Sequence, residues 1–260
     1  MELLHNKLKR CVRDFYNLFN LYKQDRQNLL DFIRFSELQM EAVSVHKSFL
    51  KYKECYKDRD VVVIGSGPTL DKWRGGRNYV QIGVNGSFLS DNVDLDYLFI
   101  QDYDSKMLDQ LHDKNIVSCK KFFGVHYMLP DVRPIPYCEL DRFGAEQYFF
   151  YDSPQMIFPF DFTMDISSKP FITYGSTIFV ALQFALYTHP RRLYIVGCDC
   201  SENHFSSHIT NLHNKNNLNM QVVNSGWEKF AVFSNAMYSD VEIISVNPVG
   251  LRGLFKDEFD

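Results

Sequence analysis

The sequence has no apolar run of roughly 18 or more residues, the length a membrane-spanning helix needs. Its first residues, MELLHNKLKRCVRDF, carry charges throughout, where a secretory signal needs an apolar core. These two absences argue against a spanning helix and a cleaved leader. We therefore expect a cytoplasmic protein, with peripheral contact at the inner face of the membrane left open.

Cysteine is sparse, and the six cysteines include no C-x-x-C pair and no spacing typical of a disulfide framework. Reduced thiols in a cytosolic protein fit this pattern. A globally basic surface is also lacking, because the formal net charge is −4. We expect no nucleic-acid partner, since non-specific binding to nucleic acid depends on positive charge.

Glycine and proline are absent from residues 1–57, and apolar residues recur there at helical spacing. We predict a helical appendage over 1–57, followed by the main domain over 58–260. Up to Arg59 the chain has 12 Lys and Arg against 8 Asp and Glu, so the excess of negative charge lies beyond it. The appendage is expected to contact an anionic membrane surface, to contact a second subunit of a homo-oligomer, or to pack on the main domain.

From Asp60 onward, short apolar runs alternate with helical segments, which is typical of a parallel sheet with helices on its faces. We predict an α/β fold with a mostly parallel sheet and helices on both faces. Residues 113–172 break the alternation, because six prolines interrupt their short apolar runs. An irregular lid over the site, or a hydrophobic flap on the sheet edge, is expected there.

The stretch VVVIGSGPTL at residues 61–70 predicts a buried strand that ends in a tight turn. Its two glycines would let backbone N–H groups approach a ligand, and Pro68 suits the first turn of a following helix. The spacing differs from G-x-G-x-x-G and lacks the Lys-Ser/Thr ending of a Walker loop. A phosphate or nucleotide loop and a plain structural turn both fit.

Polar residues follow the predicted strands. Ser66, Asn85 and Asp102 each come just after a strand, and in open α/β sheets ligands bind outside the carboxyl ends of the strands. A second feature is the segment 173–177, TYGST, which leads into an almost entirely apolar helix. Its free N–H groups and hydroxyls would suit an anionic ligand.

Two histidines, His204 and His208, follow the strand at 193–196 within a few residues. Imidazole titrates near neutral pH and suits a general base or the relief of phosphate charge, so these two and Asp102 are the catalytic candidates. Cys198 and Cys200 with both histidines form a zinc alternative of unusual spacing. Asp102 and Asp104 offer a divalent-metal alternative of the Asp-x-Asp kind.

These motifs, in this order, resemble the bacterial lipooligosaccharide sialyltransferases, which use CMP-N-acetylneuraminate on a Rossmann-like domain with a lid. They also resemble the related domain of motility-associated factors and hydroxymethylpterin diphosphokinase-like proteins. The matching pieces are VVVIGSGPTL, VNG at 84–86, IQD at 100–102, TYGS at 173–176 and LYIVGCD at 193–199. The resemblance extends over about residues 60–255 and leaves the N-terminal residues unmatched.

The resemblance implies a nucleotide site and a Rossmann-like fold. Two departures concern the chemistry: Ser66 and Asp102 stand where the family has asparagines. The family's histidine base would fall at 224–227, where this chain has NSGW. The positions that the resemblance and the loops together assign to nucleotide binding are Gly65, Ser66, Gly67, Pro68, Thr69, Asn85, Gly86, Tyr174, Gly175, Ser176, Gly197, Cys198, Asp199 and Cys200.

The resulting prediction is a glycosyltransferase that moves a sialic-acid-like or other 3-deoxy acid sugar from a CMP-activated donor to a bacterial surface glycan. Two alternatives remain open. One is a metal-dependent transferase that uses a UDP- or GDP-sugar, and the other is a diphosphokinase-like nucleotide-binding protein.

Overall fold

The computed structural model describes residues 13, 16–17, 19–27, 40–76, 78–101, 105–114, 118–126, 137–151, 162–200 and 220–259. The chain divides into two compact units, Met1–Glu41 and Ala42–Asp260. The described residues of the first unit are all helical. The second unit therefore includes residues 42–57, which the sequence pattern places in the helical appendage. The reason is burial, because Ala42 and Phe49 are both buried and Phe49 lies in the main core.

Among the described residues of the second unit, nine strands form one sheet in the order β6-β5-β4-β3-β2-β1-β7-β8-β9. Every described strand pair is parallel, which confirms the predicted α/β class. The strands are Asp60–Ile64 (β1), Val80–Val84 (β2), Tyr97–Ile100 (β3), Lys120–His126 (β4), Ala145–Tyr151 (β5), Phe171–Ile172 (β6), Arg192–Val196 (β7), Glu242–Val246 (β8) and Lys256–Glu258 (β9).

Helices cover both faces of the sheet, as predicted. Alternate side chains of β1 point to opposite faces, so Val61 and Val63 join one hydrophobic core and Val62 and Ile64 join the other. The first core is closed by the 3₁₀ helix Lys47–Tyr52 (η1) and the α-helices Ile178–Tyr187 (α3) and Met220–Met237 (α4). The second is closed by the 3₁₀ helices Pro68–Lys72 (η2) and Asn85–Leu89 (η3) and the α-helices Ser105–Asp113 (α1) and Tyr137–Phe143 (α2).

Helix α3 is buried along its whole length, which explains its apolar sequence. Its one amide side chain, that of Gln183, bonds to the backbone of Ile172. Gln183 Nε2 donates to Ile172 O at 2.8 Å, and Gln183 Oε1 accepts from Ile172 N at 3.4 Å. The side-chain amide therefore pairs with the two-residue strand β6 much as a neighbouring strand would, and it satisfies backbone groups that are buried at the edge of the sheet.

The prediction of an irregular lid over 113–172 was wrong for most of the described part of that segment. It contributes β4, α2, β5 and β6, and β4 and β5 pair in register from Lys121 opposite Ala145 to His126 opposite Phe150. The prolines do not interrupt the strands, and Pro170 directly precedes β6. The aromatic residues Tyr148, Phe149 and Phe150 are buried in β5. Residues 115–117, 127–136 and 152–161 lie outside the described ranges.

The turn after β1 leads into η2, a single short 3₁₀ helix with Pro68 at its start, rather than into a long α-helix. The sequence pattern predicts helices over 105–112 and 227–238. The first is confirmed as α1, and the second starts earlier, at Met220. Across the described ranges, no helix combines the length and the apolar character needed to cross a bilayer.

Candidate active site at the carboxyl edge of the sheet

The strand order reverses between β1 and β7. From β1 the chain builds outward through β2 to β6, and it then returns to the other side of β1 to add β7, β8 and β9. In open α/β sheets ligands bind at such a reversal, in the crevice outside the carboxyl ends of the two strands. The loops after β1 and β7 therefore define the candidate site.

These two loops are bonded to each other. The N–H of Gly65 donates to Val196 O at 2.8 Å, and the N–H of Gly67 donates to Gly197 O at 2.7 Å. A Cβ atom at Gly67 would overlap the Asp199 carboxylate and lie 2.7 Å from Gly197 O. The glycines are thus required by close packing of the loops. Both N–H groups are engaged in the contact between the loops, whereas Ser66 is partly exposed.

Asp199 is the buried carboxyl group of the site, with 5% of its surface exposed. Its Oδ2 accepts a hydrogen bond from the N–H of Thr69 at 3.0 Å, while Oδ1 is buried and has no hydrogen-bond partner. Burial raises the pKa of Asp199, and the bond from Thr69 opposes that rise. Asp199 therefore ties the first loop to the loop after β7, and its Oδ1 has no hydrogen-bond partner among the described residues.

Asn85, Gln101 and Thr177 form a ring of hydrogen bonds that joins β2, β3 and the start of α3. Asn85 Nδ2 donates to Thr177 Oγ1 at 3.1 Å, and Thr177 Oγ1 donates to Gln101 Oε1 at 2.8 Å. The N–H of Gln101 donates to Asn85 Oδ1 at 3.0 Å, which closes the ring. Gln101 Nε2 is buried without a partner. The sequence pattern indicates Asn85 but does not show that Gln101 and Thr177 join it in one group. Gln101 directly precedes Asp102, and Thr177 ends the segment 173–177.

Several residues after the strands adopt left-handed backbone conformations, which non-glycine residues rarely do. They are Asn85 with φ 43°, Tyr174 with φ 44°, Cys200 with φ 46° and Asn247 with φ 50°. Each such residue costs of order 1–3 kcal/mol and persists only when its surroundings hold it, and such residues cluster at functional sites. Four of the six such residues in the described ranges thus lie at this edge, whereas Glu54 and His189 precede β1 and β7.

The turn before α3 presents an open surface. Gly175 is exposed at φ 73°, and a Cβ atom placed on it would meet nothing within 4 Å. The cap residue Thr177 makes no side-chain hydrogen bond to the first turn of α3. Tyr174 is buried beside this turn, whereas Ser176 is partly exposed. The turn is therefore accessible at Gly175 and Ser176, whereas Thr177 and Ile178 at the helix start are buried.

Cys198 and Cys200 flank Asp199 and pack against the core through partly buried side chains. Burial raises the pKa of the Cys200 thiol to about 12 and raises the pKa of the Cys198 thiol well above its usual range. Both thiols are therefore protonated at neutral pH, whereas a nucleophilic cysteine needs the thiolate form. Their place in the site is packing beside the carboxyl group.

The remaining predicted positions divide into two groups. Ser66 Oγ donates to Val84 O at 3.4 Å, Pro68 begins η2, and Gly86 is buried in η3. Asp102, Asp104, His204 and His208 lie outside the described residues. Within the described ranges, no three His, Cys, Asp or Glu side chains are grouped to hold a metal ion.

No known protein family and no curated protein matches the chain. Among solved structures, it is similar to the sialyltransferase CstII from Campylobacter jejuni, which was solved in complex with the substrate analogue CMP-3FNeuAc. The two chains share 14% sequence identity with a TM-score of 0.42, over 76% of this chain and 85% of the other. Neither value is high enough to transfer an activity to this chain.

Proposed function

We propose that this protein is a glycosyltransferase that binds a nucleotide sugar at the carboxyl edge of the sheet, between β1 and β7. The observation that carries the proposal is the bonded pair of loops at the reversal of strand order, Gly65–Thr69 against Gly197–Asp199. A crevice in this position is where doubly wound sheets bind nucleotides. The hydrogen bonds between the two loops fix the floor of the crevice.

Different polar groups would hold different parts of the donor. Asp199 Oδ1, buried and without a partner, is suited to accept hydrogen bonds from a ribose. Gln101 Nε2 and the start of α3 are suited to donate hydrogen bonds to an anionic or carbonyl oxygen. The sequence motifs shared with the sialyltransferases support CMP as the nucleotide and an acidic sugar as its cargo. A bacterial surface glycan is the acceptor we propose.

The transfer needs a base for the acceptor hydroxyl and a group that relieves the negative charge on the departing phosphate. His204 and His208 are our candidates, because they follow the strand β7, whose carboxyl end borders the crevice. Asp102 follows β3 and is the candidate for orienting the acceptor. A donor with a single phosphate, such as a CMP-sugar, would need no metal ion.

A thermal-shift screen with CMP, CDP, UDP, GDP and ATP, each with and without Mn²⁺ or Mg²⁺, tests the nucleotide class. A ligand present at about 100 times its Kd stabilises the folded state by about 2.7 kcal/mol. We expect CMP to raise the unfolding temperature without metal. Stabilisation only by UDP or GDP with Mn²⁺ would favour the metal-dependent transferase. Stabilisation only by ATP with Mg²⁺ would favour the diphosphokinase-like alternative.

A glycine substitution tests the position of the site. Gly67→Ala forces a Cβ atom against Asp199 and Gly197 O, so we expect it to separate the loops and to abolish CMP binding in calorimetry. Gly144→Ala is the control. A Cβ atom on Gly144, where φ is 58°, meets no described atom within 4 Å, and Gly144 precedes the amino end of β5, at the opposite edge of the sheet from the proposed site. Equal CMP affinity in both variants would contradict the assignment of the site.

A further inference from the structure

Helix α4 is packed with its backbone directly against the turn before α3. A Cβ atom on Gly226 would lie 2.6 Å from Tyr174 Cβ and 2.7 Å from Phe179 Cζ, so only glycine fits there. The rings of Trp227 and Phe179, 5.0 Å apart between centroids, strengthen the same contact. The segment of α4 around Gly226 therefore has a fixed position beside the open turn.

Lys229 lies on this segment, three residues after Gly226. Its Nζ stands over the ring of Tyr174, 5.1 Å from the centroid, and its side chain is partly exposed. Lys229 forms no ion pair with any residue of the described chain, whereas Lys51, Lys114 and Lys120 each have a carboxylate partner. A cation held by a ring but not by an acid keeps its positive charge available.

The turn beside Lys229 adds favourable electrostatics and space. Gly175 has no atom within 4 Å of the position a Cβ would take, and the ten-residue helix α3 begins just after it with no side-chain cap. The N-terminus of a helix carries a partial positive charge and unpaired N–H groups. The ammonium of Lys229 and the start of α3 thus both adjoin the turn that contains Tyr174 and Gly175.

We propose that Lys229 binds the anionic group of the donor at the turn 173–176, together with the start of α3. This inference rests on the proposed function and adds to it a residue that the family resemblance does not cover. The anionic group is either the phosphate of the nucleotide or the carboxylate of an acidic sugar. At the phosphate, the fixed ammonium stabilises the negative charge that grows as the bond to the sugar breaks.

Calorimetric titration of wild type, Lys229→Met and Lys229→Arg with cytidine, CMP and CMP-N-acetylneuraminate tests the proposal. Lys229→Met keeps the contact with Tyr174 but removes the charge. Loss of a charge-assisted hydrogen bond should weaken binding roughly 10- to 100-fold. If the phosphate is the partner, Lys229→Met weakens CMP and CMP-N-acetylneuraminate alike. If the carboxylate is the partner, only CMP-N-acetylneuraminate is weakened. Cytidine affinity stays unchanged in both cases, and Lys229→Arg retains most of the affinity.

Lys51→Met is the matched control, because Lys51 Nζ stands 5.0 Å from the centroid of Tyr52 and pairs with Glu146, near the amino end of β5. We expect all three ligands to bind this variant as they bind wild type. Wild-type affinity of Lys229→Met for both CMP and CMP-N-acetylneuraminate overturns the role of Lys229 and leaves the proposed function standing. An equal loss of cytidine binding shows a structural role and also overturns it. No binding of any ligand by wild type overturns both proposals.

Discussion

His46 should make this protein sensitive to acid. The imidazole is completely buried in the second unit. Its Nδ1 lies 2.7 Å from Ile166 O, to which it donates, and its Nε2 accepts a hydrogen bond from the N–H of Phe149 at 2.9 Å. These partners require the neutral ring with its proton on Nδ1. A second proton on Nε2 would point at an N–H group and break the bond to β5.

Burial lowers the pKa of His46 from 6.5 to about 4, and the hydrogen bond to Ile166 O only partly opposes that shift. The unfolded chain therefore binds a proton near pH 6.5, whereas the folded chain resists protonation until about pH 4. Stability must then fall as the pH drops through this interval, because the unfolded state binds more protons. At about 1.4 kcal/mol per pKa unit, the loss between pH 7 and pH 4.5 is about 2 to 3 kcal/mol.

Urea denaturation of wild type and His46→Gln at pH 7 and pH 4.5 measures this loss. Glutamine can donate and accept hydrogen bonds but does not titrate in this range, so His46→Gln should lose about 2 to 3 kcal/mol less than wild type on acidification. Other acid-sensitive pairs, such as His189 with Asp240, are present in both proteins and cancel in the difference. Equal losses in the two proteins would refute the assignment of His46 as a buried neutral base.

Two further predictions concern the fold. Deletion of residues 1–41 should leave a second unit that folds and binds nucleotide, whereas deletion of residues 1–56 should prevent folding, because it removes the buried side chains of His46 and Phe49. Circular dichroism measures folding and calorimetry measures nucleotide binding. A folded chain after the longer deletion would contradict the boundary at residues 41 and 42. Gln183→Leu should lower the free energy of unfolding by about 1 to 3 kcal/mol, because Ile172 loses its pairing at the sheet edge; unchanged urea midpoints would show that this pairing contributes nothing.

Local sequence was sufficient to predict the elements that surround the site. Four consecutive β-branched residues at 61–64 predict a strand buried on both faces, and the apolar run at 178–187 predicts a buried helix. Polar residues at the strand ends, including Ser66 and Asn85, fall on the carboxyl edge because all strands of a parallel sheet end on the same side. At 113–172 the prolines predict interrupted strands, whereas β4, β5 and β6 contain no proline.

The partners within the site were decided only by the tertiary structure. Thr69 and Asp199 are separated by 130 positions in the sequence, yet they share a hydrogen bond because β7 returns to pair with β1. Gly67 illustrates the same point, since the close approach of the loop at Gly197, and not a left-handed turn, explains why it lacks a side chain.

Lys229 is a further case. Its sequence neighbours predict only the surface of an amphipathic helix, and its position over Tyr174 follows from the packing of Gly226 against that turn. Sequence periodicity reports which side of an element is buried, because burial depends on the local pattern of apolar residues. It does not report which distant element supplies the neighbour. That choice depends on strand order and helix packing, which the whole chain settles cooperatively through its long-range contacts.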